Sequence, residues 1–123
     1  MAAFNWIVVE ATCPACGSQA TLRCQTHVAS DFAGDGSRRF HDREYRVGDS
    51  MAWWPSSDSR FPQWRANRTS NPRVDPNVDE EACHATCNQC AAPLFVILRF
   101  YGVKPDGIVA VGREDDWPAG YLK

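Results

Sequence analysis

The chain has 123 residues, carries a formal net charge of −2 at pH 7, and is 44% hydrophobic and 23% charged. This length supports one domain with one modest core, and the composition excludes wholesale disorder. The slightly acidic balance excludes a protein whose whole surface attracts nucleic acid. No segment approaches the roughly 18 apolar residues of a membrane span, and the first residues lack the basic region of a signal peptide. We therefore expect a single cytoplasmic domain over residues 1–123, without membrane contact.

Residue patterns in the first half of the chain predict mainly β structure, arranged as antiparallel sheets with little helix. Residues 5–10 are rich in β-branched and aromatic side chains, which favours a strand. Residues 21–28 alternate, so their even-numbered side chains, including Cys24, are expected on a buried face. Short strands are also predicted over residues 44–47 and 50–54.

The second half contains a long loop, a buried strand and a hairpin. The composition of residues 55–79 shifts to proline, serine, asparagine, arginine and aspartate, which predicts a long irregular loop of the kind that is often functional. Residues 93–101 form the most hydrophobic run and are predicted to be a central strand. A hairpin turn is expected at 104–107, with residues 108–111 as the returning strand and 114–118 as an exposed tail.

Two Cys-x-x-Cys hooks are the strongest chemical signal. Cys13 and Cys16 form the first hook, and Cys87 and Cys90 form the second. Four thiolates on two short knuckles match a tetrahedral structural zinc site. In each knuckle, backbone N–H groups are free to donate to the sulfurs, and Gly17 suits a turn that needs positive φ. The hooks therefore predict one zinc, bound by four cysteines, that clasps distant parts of the chain.

Other cysteines and the histidines leave alternatives. Cys83 and His84 precede the second hook closely enough to replace one of its ligands, although paired hooks are the simpler assignment. Cys24 is explained as a buried thiol. A thioredoxin-like redox role for the first hook requires a following helix, whereas the sequence there alternates like a strand. His27 and His41 lie in other segments without a hydrolytic motif, and a closed four-sulfur site has no position for activated water. We therefore predict no enzyme.

Aromatic and basic residues interleave in the long loop and form the best candidate for a binding surface. Tryptophan and arginine dominate interface hot spots, and the same mixture suits single-stranded nucleic acid. A third interpretation is that the tryptophans pin the loop to the sheet. Acidic residues in the same stretch offset the arginines, which favours a protein partner over nucleic acid. The candidate partner-binding residues are Trp53, Trp54, Arg60, Phe61, Trp64, Arg65 and Arg68.

The order of these motifs resembles that of small bacterial zinc-ribbon-type proteins, some of which are similar to the immunity partners of bacterial toxins. The resemblance rests on the first hook, the sequence from Tyr45 to Asp49 (Tyr-Arg-Val-Gly-Asp), the second hook and the hydrophobic hairpin. The hooks are also similarly spaced to those of the zinc-pinned β-tent of cereblon-type domains. The resemblance implies the four hook cysteines as zinc ligands and a zinc-ribbon or β-tent-like fold.

Taken together, the sequence predicts a non-enzymatic zinc-binding protein that acts through protein–protein interaction, as an immunity-type partner would. The alternative is a nucleic-acid-binding zinc ribbon.

Overall fold

A computed structural model describes residues 4–30, 40–54, 57–60 and 78–121. These residues confirm the mainly β prediction, and none of their helices is long and apolar enough to cross a membrane. The elements are β1 (Asn5–Thr12), β2 (Gln19–Thr26), β3 (Glu44–Arg46), β4 (Val78–Thr86), β5 (Pro93–Tyr101), β6 (Lys104–Arg113) and a 3₁₀ turn (Glu114–Asp116).

The six strands form one sheet in the order β3-β1-β2-β4-β5-β6. Neighbouring strands are antiparallel, except that β3 runs parallel to β1. The β1–β2 and β4–β5 ladders are continuous. Between β2 and β4, by contrast, the ladder contains the pair Gln25–His84, and Leu22 and Cys87 form a separate bridge. We call this sparsely paired junction the seam, because it joins two well-paired halves of the sheet.

The main core lies on one face of the sheet and follows from strand alternation. In β2, Leu22, Cys24 and Thr26 are fully buried, as the sequence pattern predicts, while Arg23 between them is exposed. The apolar run of β5 contributes alternate residues to the same core. The largest buried apolar side chains there are Ile7, Leu22, Leu94, Leu98 and Phe100.

The sheet curls, so that the segment after β3 reaches the start of β6. The Gly48 N–H donates to the Pro105 carbonyl at 2.8 Å, and the Met51 N–H donates to the Val103 carbonyl at 3.2 Å. Met51 is buried in the main core. The curled sheet therefore encloses its core on one side and leaves the other face outward.

The strand predicted over residues 50–54 is wrong. The structure assigns no strand there, and the side chains of Met51 and Trp54 are buried.

The hairpin turn predicted at 104–107 is also misplaced, since β6 already begins at Lys104. The turn lies at residues 102–103, where Gly102 has a φ of 64°, a conformation that glycine adopts without steric cost.

Both ends of the second half differ in detail from the sequence prediction. Strand β4 begins at Val78, so the last two residues of the predicted loop belong to the sheet, while residues 61–77 lie outside the described residues. The predicted exposed tail is partly covered. The Trp117 ring lies 4.6 Å from the His84 ring and 6.1 Å from the Phe95 ring, because the 3₁₀ turn folds it back onto the outward face of the sheet.

Candidate metal centre

The four hook cysteines come together at one end of the seam. Their sulfur atoms all lie within 4.8 Å of one another, with Cys13 Sγ 3.8 Å from Cys90 Sγ and Cys16 Sγ 3.9 Å from Cys87 Sγ. Both of these contacts cross between the hooks. Four cysteines therefore lie close enough to hold a metal ion, although their hooks are far apart in the sequence.

The two knuckles have the same backbone construction. The Gly17 N–H donates to the Cys13 carbonyl at 2.8 Å, and the Ala91 N–H donates to the Cys87 carbonyl at 2.9 Å. Gly17 and Ala91 occupy equivalent positions and both have positive φ, 75° and 61°. The prediction for Gly17 is confirmed. Ala91 adopts the same conformation at a cost of about 1–3 kcal/mol, which shows how strongly the knuckle dictates its backbone.

Backbone N–H groups point at the first sulfur of each knuckle, as predicted. The N–H groups of Ala15 and Cys16 lie 3.3 and 3.5 Å from Cys13 Sγ. In the second knuckle, the Gln89 N–H lies 3.3 Å from Cys87 Sγ. Hydrogen bonds to a charged sulfur favour the thiolate, which is the form that binds metal.

The thiols of the second hook have pKa values that move in opposite directions. Burial, the largest single influence, opposes ionisation of Cys87, but hydrogen bonds from the backbone N–H groups of Cys90 and Gln89 and from the Cys13 and Cys90 thiols together lower the pKa of this thiol. For Cys90, a hydrogen bond from the Ala92 N–H lowers the pKa of the thiol. Burial and hydrogen bonds with the neighbouring thiols outweigh this and raise the pKa to about 11. A cluster this tight accepts one negative charge more readily than several, because thiolates repel one another.

A divalent cation is the chemical complement of such a cluster, since it offsets the repulsion between the thiolates. Thiolate ligands select soft or borderline ions such as zinc over magnesium and calcium. Four sulfurs also complete a tetrahedral shell. Cys13 and Cys87 are buried, whereas Cys16 and Cys90 are exposed, so the cluster lies at the protein surface with its inner half in the core.

The alternative ligands Cys83 and His84 lie outside the four-sulfur cluster. Cys83 Sγ lies 3.4 Å from Glu81 Oε1, and burial raises the pKa of its thiol well above the usual value. Burial, with the Glu81 carboxylate as a second cause, also raises the pKa of Cys24, to about 12. Both thiols are therefore held in the neutral form, as expected of core cysteines.

Three of the seven candidate partner-binding residues lie within the described part of the chain. Trp54 is buried, and its ring lies 4.9 Å from the ring of Trp53 and 4.9 Å from that of Phe40. The Arg60 guanidinium lies 5.0 Å over the Trp54 ring and bonds Asp58. The two tryptophans thus contribute to packing at the start of the loop. Phe61, Trp64, Arg65 and Arg68 lie outside the described residues, and partner binding stays a prediction.

The sequence interpretation missed a buried carboxylate at the other end of the seam. The Glu81 side chain is 3% exposed and accepts hydrogen bonds from the Thr26 hydroxyl at 2.5 Å and the His27 N–H at 2.9 Å. Its Oε2 also lies 3.1 Å from His27 Nδ1. The alternation of side chains along β4 could have indicated that Glu81 is buried, because Glu81 lies two residues from Cys83 and therefore shares its inward face.

When the chain was compared with known proteins, no protein-family model, curated protein or solved structure was found to match it.

Proposed function

We propose that the chain is a non-enzymatic binding domain that holds one structural zinc on Cys13, Cys16, Cys87 and Cys90 and recognises another protein. The observation that carries the zinc assignment is the convergence of four sulfurs from two matching knuckles. In this proposal the zinc clasps the two halves of the sheet in the manner of a β-tent, since the seam between them has few ladder pairs.

The absence of an enzymatic role follows from the donor set in this proposal. Catalytic zinc sites keep one position open for water or substrate, whereas four cysteine ligands close the tetrahedron. The neutral, buried thiols of Cys24 and Cys83 lack the accessible thiolate that redox catalysis requires.

A protein partner is supported by the chemistry of the segment that begins at Trp53. The Arg60 guanidinium is exposed, pairs with Asp58 at 2.7 Å and lies over the buried Trp54 ring, so a charged pair backed by an aromatic ring stands at the surface. Such mixed surfaces are typical of protein interfaces. The neighbouring acids reduce the attraction for a phosphate backbone.

The zinc part of the proposal is tested by elemental analysis of protein purified without added metal. We expect one zinc per chain, lost in Cys13→Ser and Cys90→Ser and retained in the control Cys24→Ser. Loss of zinc from Cys24→Ser to the same extent would contradict the ligand assignment.

The partner part is tested by capture from the native host, followed by titration at several salt concentrations. For a protein target, Trp64→Ala or Arg65→Ala should weaken the complex by about 1–3 kcal/mol without changing the melting temperature. Affinity should then depend modestly on salt. A steep, log-linear loss of affinity with salt would instead identify nucleic acid as the target and contradict the proposal.

A further inference from the structure

A groove of about 540 Å³ runs along the outward face of the sheet at the seam. Trp6, Arg23, Gln25 and His27 line it from the β1–β2 half, and His84 and Glu114 line it from the other half. Its volume lies within the range of small-ligand sites. It is separate from the four-sulfur cluster, whose inner cysteines point into the main core on the opposite face.

Two histidines in this groove each have a carboxylate at the same ring nitrogen. His27 Nδ1 is hydrogen-bonded to Glu81 Oε2 at 3.1 Å. His84 Nδ1 lies 2.9 Å from Glu114 Oε1 as an ion-pair contact. Nε2 of both rings makes no hydrogen bond to any described residue. The groove thus contains two imidazoles, each with a carboxylate at Nδ1 and with no recorded hydrogen bond at Nε2.

The strand register brings these imidazoles close together. Gln25 lies opposite His84 in the ladder, and His27 follows two residues later on the same face. His27 lies just beyond the end of β2. Extending the same register places His27 diagonally from His84, a relation that separates Cα atoms by about 7–8 Å in a regular sheet.

The charges around the groove favour a cation over an anion. Three carboxylates contact the polar side chains that line the groove. Two of them contact the imidazoles, and the third, that of Glu44, pairs with Arg23 at 3.2 Å. The Arg23 guanidinium is the single permanent positive charge among the lining residues, and it stacks over the Trp6 ring at 4.2 Å. An anion would meet three carboxylates, whereas a metal cation would meet two imidazole nitrogens backed by acids.

We propose that His27 and His84 bind a second metal ion through their Nε2 atoms, independent of the four-cysteine site. Metal-ligating histidines almost always donate their other N–H to a carboxylate or carbonyl, which orients the ring and raises its basicity. Glu81 occupies this outer position for His27 through a hydrogen bond, and Glu114 contacts the corresponding nitrogen of His84. Imidazole ligands select zinc, copper, nickel or cobalt over magnesium and calcium. Two protein ligands leave coordination positions open to water or to an exchangeable ligand in the groove.

The test uses the full chain with its cysteine site already loaded with zinc, and the probe is additional zinc alone. Calorimetric titration should show one further zinc equivalent. Nitrogen-15 spectra of the histidine rings should show shifts at Nε2 of His27 and His84. His41 is the matched control, because its Nδ1 also lies 3.1 Å from a carboxylate, that of Asp42, but its ring does not line the groove.

Three variants, one of them a control, spare the buried Glu81. His84→Ala should abolish the second binding event and keep the cysteine-bound zinc, while His41→Ala should bind as the wild type does. Glu114→Gln keeps both imidazoles and should weaken the second zinc about 10–100-fold, because it removes an outer carboxylate. No second equivalent in the wild type, unchanged affinity in His84→Ala, or ring shifts at His41 alone would each overturn the proposal. Loss of the cysteine-bound zinc would count against the proposed function instead.

Discussion

The two ends of the seam hold the same pair of strands together by different chemistry. At the sulfur end, where Leu22 bridges Cys87, the four hook cysteines face one another. At the carboxylate end, Glu81 reaches across from β4 and accepts hydrogen bonds from Thr26 and His27, which lie at the end of β2 and just after it. Between these ends, the β2–β4 ladder consists of the Gln25–His84 pair.

The difference shows which end of the seam depends on a bound metal. Without a cation the four sulfurs accept few negative charges and make only weak thiol contacts, so the sulfur end contributes little cohesion until a metal binds. The carboxylate end consists of an acceptor and donors that satisfy one another within the protein. Because a buried group that is fully hydrogen-bonded depends on every partner, this end is permanent but intolerant of substitution. We expect metal to control one end of the seam and not the other.

The largest effect is expected at the sulfur end. Cys13→Ser or Cys90→Ser should remove the metal and most of the cooperative unfolding transition, because the binding energy of a structural metal is folding energy, about 10–16 kcal/mol in zinc-finger peptides. Thermal unfolding followed by circular dichroism, with metal content measured on the same sample, checks this. An unchanged melting temperature in metal-free protein would show that the sulfur end does not need a cation.

The next largest effect is expected at the carboxylate end. Glu81→Ala should lower the free energy of unfolding by about 3–5 kcal/mol, because it leaves buried donors and the His27 ring without their acceptor. The zinc bound by the four hook cysteines should be retained in the folded protein. Urea denaturation measures the loss, and Glu44→Ala is the control, since the exposed Arg23–Glu44 pair contributes about 1 kcal/mol or less. Equal effects of the two substitutions would refute the buried role of Glu81.

A smaller effect is expected for a polar contact at the sulfur end that does not involve metal. The Asn88 side-chain oxygen accepts a hydrogen bond from the Thr21 N–H at 2.9 Å, at an exposed position. Asn88→Ala should therefore cost about 0.5–1.5 kcal/mol, with metal content unchanged. The neighbouring exposed residue offers a matched control, Gln89→Ala, which should be close to neutral in the same urea experiment. A loss as large as that of Glu81→Ala would show that this end relies on polar contacts as well.

The smallest effect is expected in the chemical reactivity of the buried thiols, which can be measured without changing the fold. In the zinc-loaded protein at pH 8, Cys24 and Cys83 should resist iodoacetamide until the protein unfolds, because burial raises their pKa values. Mass spectrometry locates the modified cysteines. The Glu81→Ala variant should react faster, in proportion to its larger unfolded population. Rapid modification of Cys24 in the stable wild type would contradict its place in the core.

The raised pKa of Cys24 also predicts that the protein loses stability at alkaline pH. The folded protein holds the Cys24 proton up to about pH 12, whereas an unfolded thiol releases it near its ordinary pKa of 9.0. The contribution of this neutral thiol to stability is complete below pH 9 and is lost as the pH rises towards 12. Urea denaturation at increasing pH should show this loss, and it should be reduced in Cys24→Ser.

Several parts of this arrangement are predictable because their signals are local. The two hooks identify the four clustered cysteines, since short spacers build knuckles whatever lies between them. The alternation of residues 21–28 identifies the inward face of β2, including Cys24, and the apolar run 93–101 matches β5. The misplaced turn shows the limit of such signals, because Pro105 and Gly107 suggest a turn, but Gly102 provides the positive φ.

The sequence by itself therefore determined the β class, the inward and outward residues of the main strands, and the set of cysteines able to meet at one metal. The seam, the buried role of Glu81 and the shared groove of His27 and His84 were decided by the tertiary structure. Strands β2 and β4 are not consecutive in the chain, and no local period relates residues on strands that a long connection separates. Their side chains acquire neighbours, and hence chemistry, when the two halves of the sheet join.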